Sequence, residues 1–422
     1  MTQKKFLFIS YAFPHFKAVG SFRSYYIAQQ LASLGSEVSV ITTKNYDFLP
    51  KQVLPIYKEI KLKRIHSFDY NFIKGFLKRG KKNSSNTSSN KNSYSLSFRI
   101  LDTFPFNIIM GLGGLLYIIL ALIYILPRIK GYSHIYSSFR PYSDHFIAYV
   151  LKFFKKDLYW IADFRDIHID KENKNVLSIK YQNFINKKLF KKANLLTSVS
   201  QGYLNALQEY NSNSIVLFNG YDDSLVEKFN NSDKIQFQKF TISHVGSLYG
   251  GRRDPSFLFE VIQDLIEMEE ISREAICLNY VGSDGELWMK LLKKFNLADL
   301  GQDMGSVDHQ KAIQVQKSSD INLMITWATT EGGTFPAKFF EYLVSDRPVL
   351  LLINGENDEE FENIFNTYKI GSLVYARSSY RESLKDFIKK SLKSRHDVNS
   401  IDPKILTDFH WNNRIQTLLQ AI

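Results

Sequence analysis

The segment from Glu331 to Leu350 carries the residue types and spacing that best suit the binding of a phosphorylated ligand. It reads Glu331-Gly-Gly-Thr-Phe-Pro-Ala-Lys-Phe-Phe-Glu-Tyr-Leu-Val-Ser-Asp-Arg-Pro-Val-Leu350. Pro336 suits the first turn of a helix, and the amides exposed at a helix start, together with the helix dipole, attract anions. Glu341 lies about one and a half turns inside that predicted helix, where its carboxylate could accept hydrogen bonds from two adjacent hydroxyls, as on a ribose. The alternative is an ordinary helix start with a surface glutamate.

A second glycine-rich loop, 246–254, follows a predicted strand and contains three glycines and two adjacent arginines. Glycine at Gly246 lets the backbone approach a ligand closely, and the forked guanidinium of Arg252 or Arg253 suits a phosphate. Ligands of open α/β sheets bind outside the carboxyl ends of the strands. Combined with Thr334–Glu341 in the same predicted domain, this loop predicts a diphosphate site.

The elements that must position these loops follow a β-α-β order, which predicts parallel sheets flanked by helices. The first half opens with a strand, a helix and a strand at Phe6–Ser10, Ser24–Leu34 and Glu37–Thr42. The second half repeats this order at Phe240–Val245, Pro255–Met268 and Cys277–Val281. Further buried strands are predicted at His134–Ser138, Leu158–Ala162, Asn194–Val199 and Val349–Ile353.

The chain length of 422 residues suits two α/β domains of roughly 200 residues each. We expect one Rossmann-like domain over residues 1–230 and a second over 231–405. A final helix over 406–422 is expected to return toward the first domain. The turn Asn219-Gly220 and the polar segment Glu227–Gln236, interpreted as the linker, mark the boundary.

The net charge of +12 is concentrated in part between Lys51 and Lys82. Such a basic run fits a solvated surface or an anionic membrane surface. Nucleic acid is not expected as a partner, because no recognition-module signature accompanies the charge. The single cysteine, Cys277, excludes an intramolecular disulfide framework and a cysteine-cluster metal site.

Two segments interrupt the α/β pattern. The polar stretch 81–95 has too little apolar surface to order itself and predicts a mobile loop. Ile108–Leu126 contains nineteen consecutive residues without a charge, which predicts a helix over about 107–127. That helix could dip into one leaflet of a membrane, lie buried in the first domain, or span the bilayer. A span is disfavoured because strands on both sides of it must join one sheet.

The order and spacing of these motifs resemble those of family 4 glycosyltransferases, which have the two-domain GT-B fold. The resemblance covers nearly the whole chain. In the first half it rests on Gly20-Ser-Phe-Arg23, Gly35–Thr42, Ile161-Ala-Asp-Phe-Arg-Asp166, Lys191–Ser200 and Val216–Asp222. In the second half it rests on Gly246–Pro255, Tyr280-Val-Gly282, Gly305–His309, Ser319-Asp320 and Lys338–Leu343.

The resemblance implies two Rossmann-like domains with parallel sheets facing a central cleft, a nucleotide-sugar donor and an acceptor held mainly by the first domain. It also implies retention of the anomeric configuration, with no metal and no other cofactor. Glu341 matches the carboxylate that holds the donor ribose, and Gly20 matches the first-domain loop that approaches the donor. The other donor-binding positions carried over in this way are Arg252, Arg253, Thr334, Phe335, Pro336 and Ala337, and Lys338 is added as a donor-binding residue for its positive charge.

This chain departs from the family pattern at two positions. The first glutamate of the usual pair falls on Gly333, with Glu331 two residues earlier. Where many relatives carry a His-Asp pair, this chain has Arg165-Asp166. Asp166 is the candidate for orienting the acceptor hydroxyl, and Arg165 can stabilise charge but is a poor base. The alternative for Arg165 is a structural ion pair with Asp163, and a lone histidine such as His168 is more often structural.

The expected mechanism requires little chemistry from protein side chains. The leaving diphosphate oxygen takes the acceptor proton, while Arg252, Arg253, Lys338 and the helix amides supply position and positive charge. The resemblance and the basic, apolar first domain suggest a lipid-linked glycan acceptor of a surface polysaccharide. The expected location is the cytoplasmic face of the inner membrane, peripheral or monotopic. The alternatives are another GT-B enzyme, such as an epimerase, and a non-catalytic nucleotide-sugar-binding protein.

Overall fold

The chain divides into two compact units. The computed structural model describes residues 4–14, 19–44, 54–69, 105–109, 111–165, 176–329, 332–333, 335–395 and 401–422. Unit 1 comprises Met1–Val199, Tyr203–Leu217 and Ile415–Ile422, and unit 2 comprises Ser200–Gly202 and Phe218–Arg414. The main division therefore falls between Leu217 and Phe218, ahead of the expected boundary at 230/231.

The described part of unit 1 forms a sheet of seven strands in the order β3-β2-β1-β4-β5-β6-β7, and each pairing is parallel. Its strands are β1 Lys5–Ile9, β2 Glu37–Thr43, β3 Lys61–Ile65, β4 His134–Phe139, β5 Tyr159–Phe164, β6 Leu195–Ser198 and β7 Ser214–Val216. Every residue of β4 is buried. Helices cover both faces of such a sheet, so its central strands are buried on both faces, and β1 contains the continuous apolar run Phe6–Ile9.

The helices before Leu217 connect these strands. They are α1 Val19–Ser33, α2 Phe106–Ile109, α3 Gly114–Ile125, α4 Tyr142–Phe154, α5 Val176–Phe190 and α6 Gln201–Gln208. A 3₁₀ helix, Leu126–Gly131, continues α3.

The apolar stretch is not the single helix expected over 107–127, because the chain turns between α2 and α3. Gly113 has φ +87°, and a Cβ there would collide with the Ser143 hydroxyl, so both conformation and space demand glycine. By length and composition Gly114–Gly131 could cross a membrane, and 33% of this segment is buried. One face of α3 therefore belongs to the core and the other does not. The expected mobile loop at 81–95 lies outside the described residues.

The described part of unit 2 forms a second sheet in the order β10-β9-β8-β11-β13-β14, again with parallel pairings. Its strands are β8 Phe240–Val245, β9 Ile276–Val281, β10 Gly301–Asp303, β11 Ile321–Thr329, β12 Gly332–Gly333, β13 Val349–Gly355 and β14 Gly371–Tyr375. The short β12 pairs antiparallel with the end of β11. The strands predicted at 240–245, 277–281 and 349–353 are confirmed.

The helices that follow Leu217 belong to unit 2, except that α15 continues from unit 2 into unit 1 at Ile415. They are α7 Asp223–Asn230, α8 Ser256–Glu267, α9 Gly285–Lys294, α10 His309–Ser318, α11 Ala337–Val344, α12 Glu359–Tyr368, α13 Arg381–Lys393, α14 Pro403–Phe409 and α15 Trp411–Gln420. One core cluster joins the sheet to α8, α9 and α13, and another joins it to α11, α12 and α14. Unit 2 is therefore a sheet between two helical layers.

Two segments near the unit boundary differ from expectation. The first part of the expected linker, Glu227–Asn230, lies in α7, whose N-cap Asp222 accepts a hydrogen bond from the Leu225 amide. The final segment holds two helices rather than one. Residues 415–422 belong to unit 1, where Lys4 Nζ donates to the Ile422 carbonyl oxygen at 3.2 Å.

Candidate functional site

The candidate site lies at the C-terminal edge of the unit 2 sheet. Because β8, β9 and β11 are parallel neighbours, the loops that leave them meet at one edge, where α/β proteins bind ligands. Three segments converge there: the loop after β8, the turn after β9 and the start of α11.

The loop after β8 is held in place by residues at the end of β9. The Tyr280 hydroxyl donates to the Gly246 carbonyl oxygen at 2.8 Å. Asp284 Oδ2 accepts from the Ser247 hydroxyl and from the Leu248 amide, both at 2.7 Å. A Cβ at Gly282 would collide with the Gly246 carbonyl, so only glycine fits beside this loop. Nothing local in the sequence marks Tyr280 and Asp284 as supports of this loop, so their role was not predicted.

Gly246 leaves a small space between two polar groups. Its φ is +151°, and an ideal Cβ on it would lie 3.7 Å from His244 Nε2 and 3.8 Å from Arg253 Nη1. Both side chains therefore reach the point where the backbone is bare. Because Gly246 has no side chain, a ligand can approach the backbone of this loop closely, as predicted from the sequence.

Arg253 is the arginine that faces this space. Its Nη1 donates to the Ser247 carbonyl oxygen at 3.2 Å, and its guanidinium lies 4.5 Å from the Tyr249 ring centroid. Burial lowers the pKa of Arg253, but the group stays a cation because arginine starts from a very high value. The buried Nε–H of Arg253 has no hydrogen-bond partner among the described residues.

Arg252 is exposed beside this arrangement. Its guanidinium lies 5.9 Å from the ring centroid of Trp327 at the end of β11. From the sequence, Arg252 was the first candidate for the phosphate ligand and Arg253 the second. The structure brings Arg253 to the glycine and leaves Arg252 exposed, so Arg253 is the better placed of the two candidates.

The second predicted segment begins α11. Pro336 is its N-cap, with extended backbone and no side-chain cap for the first-turn amides, and Ala337 is the first helical residue. Phe335 is buried, with its ring 4.2 Å from that of Phe361. Its side chain therefore contributes to the core, and only its backbone could approach a ligand. Thr334 lies outside the described residues.

Glu341 lies in a cluster of donors on α10 and α11. Its carboxylate accepts from Lys338 Nζ at 2.6 Å, from Gln316 Nε2 at 2.9 Å and contacts His309 Nε2 at 3.4 Å. Burial alone would raise the pKa of Glu341, but these hydrogen bonds and the Lys338 charge outweigh it and lower the pKa to about 2. Glu341 is therefore an ionised acceptor, as the binding of hydroxyls requires.

One hydroxyl joins the two halves of the candidate site. The Val245 amide donates to the Tyr342 hydroxyl at 3.3 Å, and that hydroxyl lies 3.4 Å from the Leu323 carbonyl oxygen. The Tyr342 hydroxyl of α11 is therefore hydrogen-bonded to the last residue of β8, directly before the glycine-rich loop. Glu341 and Lys338 are in this way fixed relative to Gly246.

The predicted residues of unit 1 are placed differently from the expectation. Arg165 donates from Nε to the Phe139 carbonyl oxygen and from Nη2 to the Arg140 carbonyl oxygen, both at 2.8 Å. The alternative ion pair with Asp163 is wrong, because Asp163 pairs with Arg23 of α1 at 2.7 Å. Gly20 lies in the first turn of α1. Asp166 and His168 lie outside the described residues.

A buried carboxyl at the start of α4 was not anticipated from the sequence. Asp144 Oδ2 accepts from the Tyr11 amide at 2.8 Å, while Oδ1 has no partner among the described residues. Burial raises the pKa of Asp144 to about 8, against the opposing effects of Tyr11, Tyr117 and Arg165. An aspartate in the first turn of a helix looks like an ordinary N-terminal acid in sequence, so its burial left no signal.

Comparisons with known proteins agree with this architecture. No protein-family model matches the chain. A curated relative, the uncharacterised glycosyltransferase MJ1069 of Methanocaldococcus jannaschii, is 26% identical over 278 residues, which cover 60% of this chain and 69% of the relative.

Solved structures resemble the chain over nearly its full length. Sucrose-phosphate synthase of Thermosynechococcus elongatus has a TM-score of 0.62 at 13% identity, covering 99% of this chain and 98% of the other. A TarM mutant from S. aureus has a TM-score of 0.56 at 11% identity and covers 99% of each chain. Two parallel-sheet α/β domains and these neighbours show that the chain has the GT-B fold of glycosyltransferases.

Proposed function

We propose that the chain is a glycosyltransferase that binds a nucleotide-sugar donor at the C-terminal edge of the unit 2 sheet. The observation that carries the proposal is the space beside Gly246, which Nη1 of the half-buried Arg253 cation faces, while Nε of the same guanidinium has no hydrogen-bond partner among the described residues. A diphosphate is the part of a nucleotide sugar that such a space suits, because arginine offers phosphate a forked set of donors.

The neighbouring residues suit the remaining parts of the donor. The amides at the start of α11, with Lys338 in its first turn, add positive potential for the phosphates. Glu341 remains ionised at neutral pH and would accept hydrogen bonds from the ribose hydroxyls. The S. aureus TarM structure contains UDP, which makes UDP-sugars the first donors to test.

The chemistry that we infer follows the family 4 pattern suggested by the sequence. Transfer would retain the anomeric configuration, need no metal, and deliver the acceptor proton to the leaving diphosphate oxygen. Arg253, Lys338 and the helix amides would stabilise the negative charge that develops on that oxygen. Asp166 and Arg165 stay candidates on the acceptor side.

We further infer that the acceptor is a glycan or a lipid-linked glycan, as in surface polysaccharide synthesis, and that unit 1 docks on an anionic membrane. Helix α3 exposes Leu115, Leu116, Ile119 and Ile123 by 41% to 64%. At the end of this apolar face, Lys63 and Arg128 lie over the Tyr124 ring at 4.9 Å and 4.3 Å. An apolar helix face with basic residues at its edge suits the interface of an anionic leaflet on the cytoplasmic side.

Donor binding and turnover test the proposal directly. UDP-, GDP-, ADP- and CDP-sugars are titrated into the protein by calorimetry, and hydrolysis or transfer of the sugar is followed by mass spectrometry. We expect at least one donor to bind, and Arg253→Met to weaken it by roughly tenfold or more, the value of one charge-assisted hydrogen bond. Lys393→Met, an exposed cation at the end of α13, is the charge-matched control.

The outcomes separate the competing functions. Binding with sugar transfer supports the transferase. Binding with conversion of the free nucleotide sugar would indicate an epimerase, and binding without turnover across a panel of lipid-linked acceptors would indicate a non-catalytic protein. If none of the nucleotide sugars binds, the proposal fails.

A further inference from the structure

His244, near the end of β8, has one ring nitrogen satisfied and the other unused. Nδ1 lies 3.0 Å from the Leu323 carbonyl oxygen. Since a carbonyl only accepts, Nδ1 carries the hydrogen and Nε2 of the neutral ring is an acceptor. That Nε2 is buried and has no partner among the described residues, and His244 as a whole is 3% exposed. An unpaired buried polar atom of this kind is uncommon and calls for an explanation.

The position of Nε2 suggests that it faces a ligand-binding space. It points at the space beside Gly246, 3.7 Å from where a Cβ would lie, and Arg253 Nη1 approaches the same point at 3.8 Å. Two nitrogen-bearing side chains thus flank a bare stretch of backbone. A neutral Nε2 has no hydrogen to offer a phosphate, but a protonated one donates as arginine does.

Several charged or titratable groups face this imidazole. Burial is the main reason that the pKa of His244 is lowered to about 4, and the positive charges of Arg253 and Lys338 lower it further. Asp284, from the turn after β9, and the Leu323 carbonyl act in the opposite direction. The rings of Tyr280 and Trp288 stack against it with centroids 6.0 Å and 6.3 Å away. Without a bound anion, His244 is therefore neutral at neutral pH.

A bound diphosphate reverses this balance. It places two negative charges beside an imidazole that burial and the charges of Arg253 and Lys338 otherwise keep neutral, and nearby negative charge favours the protonated ring. We propose that His244 takes up a proton from solvent when the donor binds, so that Nε2–H donates to a phosphate oxygen and donor binding is coupled to proton uptake. This inference rests on the proposed function of the same site.

Proton-linked calorimetry tests the coupling. UDP-glucose, GDP-mannose and ADP-glucose serve as probes, because their diphosphate is a diester with no proton to exchange near neutrality. Whichever binds is titrated at pH 6, 7 and 8 in buffers of different ionisation enthalpy. We expect uptake approaching one proton per donor bound, with a Kd that rises by about tenfold per pH unit between the pKa of free His244 and that of the complex and levels off above the latter.

Three variants assign the proton. His244→Asn keeps a donor near the position of Nδ1 and removes Nε2, so we expect it to bind the donor with uptake near zero. His309→Asn removes the other histidine near the site, next to Glu341, and should keep the proton uptake even if affinity falls. His66→Asn replaces an exposed histidine of unit 1 and should behave as the unsubstituted protein. If His244→Asn does not fold, His244→Gln replaces it.

The results separate the proton coupling from the donor site itself. If none of the probes binds at any pH, the proposed function fails, and this inference fails with it. If a probe binds with no proton uptake, or if the uptake survives in a folded His244 variant, the inference is overturned while the donor site stands. The proton count of the unsubstituted protein tests the coupling even if neither His244 variant folds.

Discussion

Lys338 Nζ lies 2.6 Å from Oε2 of Glu341, three residues further along α11. Gln316 and His309 approach the same carboxylate at 2.9 Å and 3.4 Å. A carboxylate has about four acceptor positions, and the three protein donors already occupy three of them. Two ribose hydroxyls could be bound together only if one donor withdraws, and His309, the most distant, is the one expected to do so.

Replacing Glu341 should weaken donor binding without unfolding unit 2. Hydrogen bonds to a charged group contribute about 1.5–3 kcal/mol each, so Glu341→Gln should raise the Kd for the nucleotide by roughly tenfold to a hundredfold. Calorimetry with the nucleoside diphosphate measures this, and a thermal melt verifies the fold. Glu267→Gln, at an exposed position of α8, is the matched control. An affinity equal to that of the control would remove Glu341 from the site.

The Arg23–Asp163 pair should be essential for the stability of unit 1. Both side chains are almost fully buried, and Arg23 Nη2 lies 2.7 Å from Asp163 Oδ1. Asp163 also accepts hydrogen bonds from the Tyr136 and Thr197 hydroxyls. Arg23→Met leaves a buried charge without its ion-pair partner, which typically costs about 3–5 kcal/mol. Urea unfolding followed by a probe in unit 1 measures the loss. Arg128→Met, at an exposed position, is the control, and an equally small change in both variants would contradict the prediction.

The buried carboxyl of Asp144 should make the stability of unit 1 depend on pH. Its pKa is raised from 3.8 to about 8, so the folded state binds a proton that the unfolded state has lost. Stability from this group is fully present below about pH 4 and declines as pH rises through about 8. The facing groups are the Tyr11 amide, the Tyr117 hydroxyl and Arg165.

Asp144→Asn removes that titration while keeping the side-chain shape. We therefore expect the variant to be more stable than the unsubstituted protein at pH 8–9, by on the order of a few kcal/mol, with the difference shrinking toward pH 4. Thermal or urea unfolding across this pH range measures it. A difference that is constant with pH would show that Asp144 does not titrate in this range.

The exposed face of α3 should set membrane affinity. Ile119 and Ile123 are 44% and 64% exposed, and burying an isoleucine side chain fully contributes about 1.5–3 kcal/mol. The double substitution Ile119→Ser and Ile123→Ser should lower partitioning onto vesicles containing phosphatidylserine by roughly tenfold. Leu34→Ser, which removes an exposed leucine at the end of α1, is the control. Added salt should weaken binding of the unsubstituted protein; equal sedimentation of all three proteins would contradict the proposal.

The sequence by itself determined five strands of the first sheet, β1, β2, β4, β5 and β6, and three of the second, β8, β9 and β13. Phe6–Ile9 and Val349–Ile353 are unbroken apolar runs and are buried throughout, as expected of strands that are covered on both faces. The glycine loop after β8 and the helix start at Pro336 were likewise predicted, because glycine and proline restrict the backbone locally.

Only the tertiary structure decided which side chains meet. Arg252 and Arg253 are neighbours in sequence, yet only Arg253 faces Gly246, because the loop is bound to Asp284 and Tyr280 of the adjacent strand and turn. The partner of Asp163 lies 140 residues away in Arg23, not two residues away in Arg165. Such pairings depend on strand order and on burial, which bring distant residues together, whereas spacing along the chain reports only on local geometry.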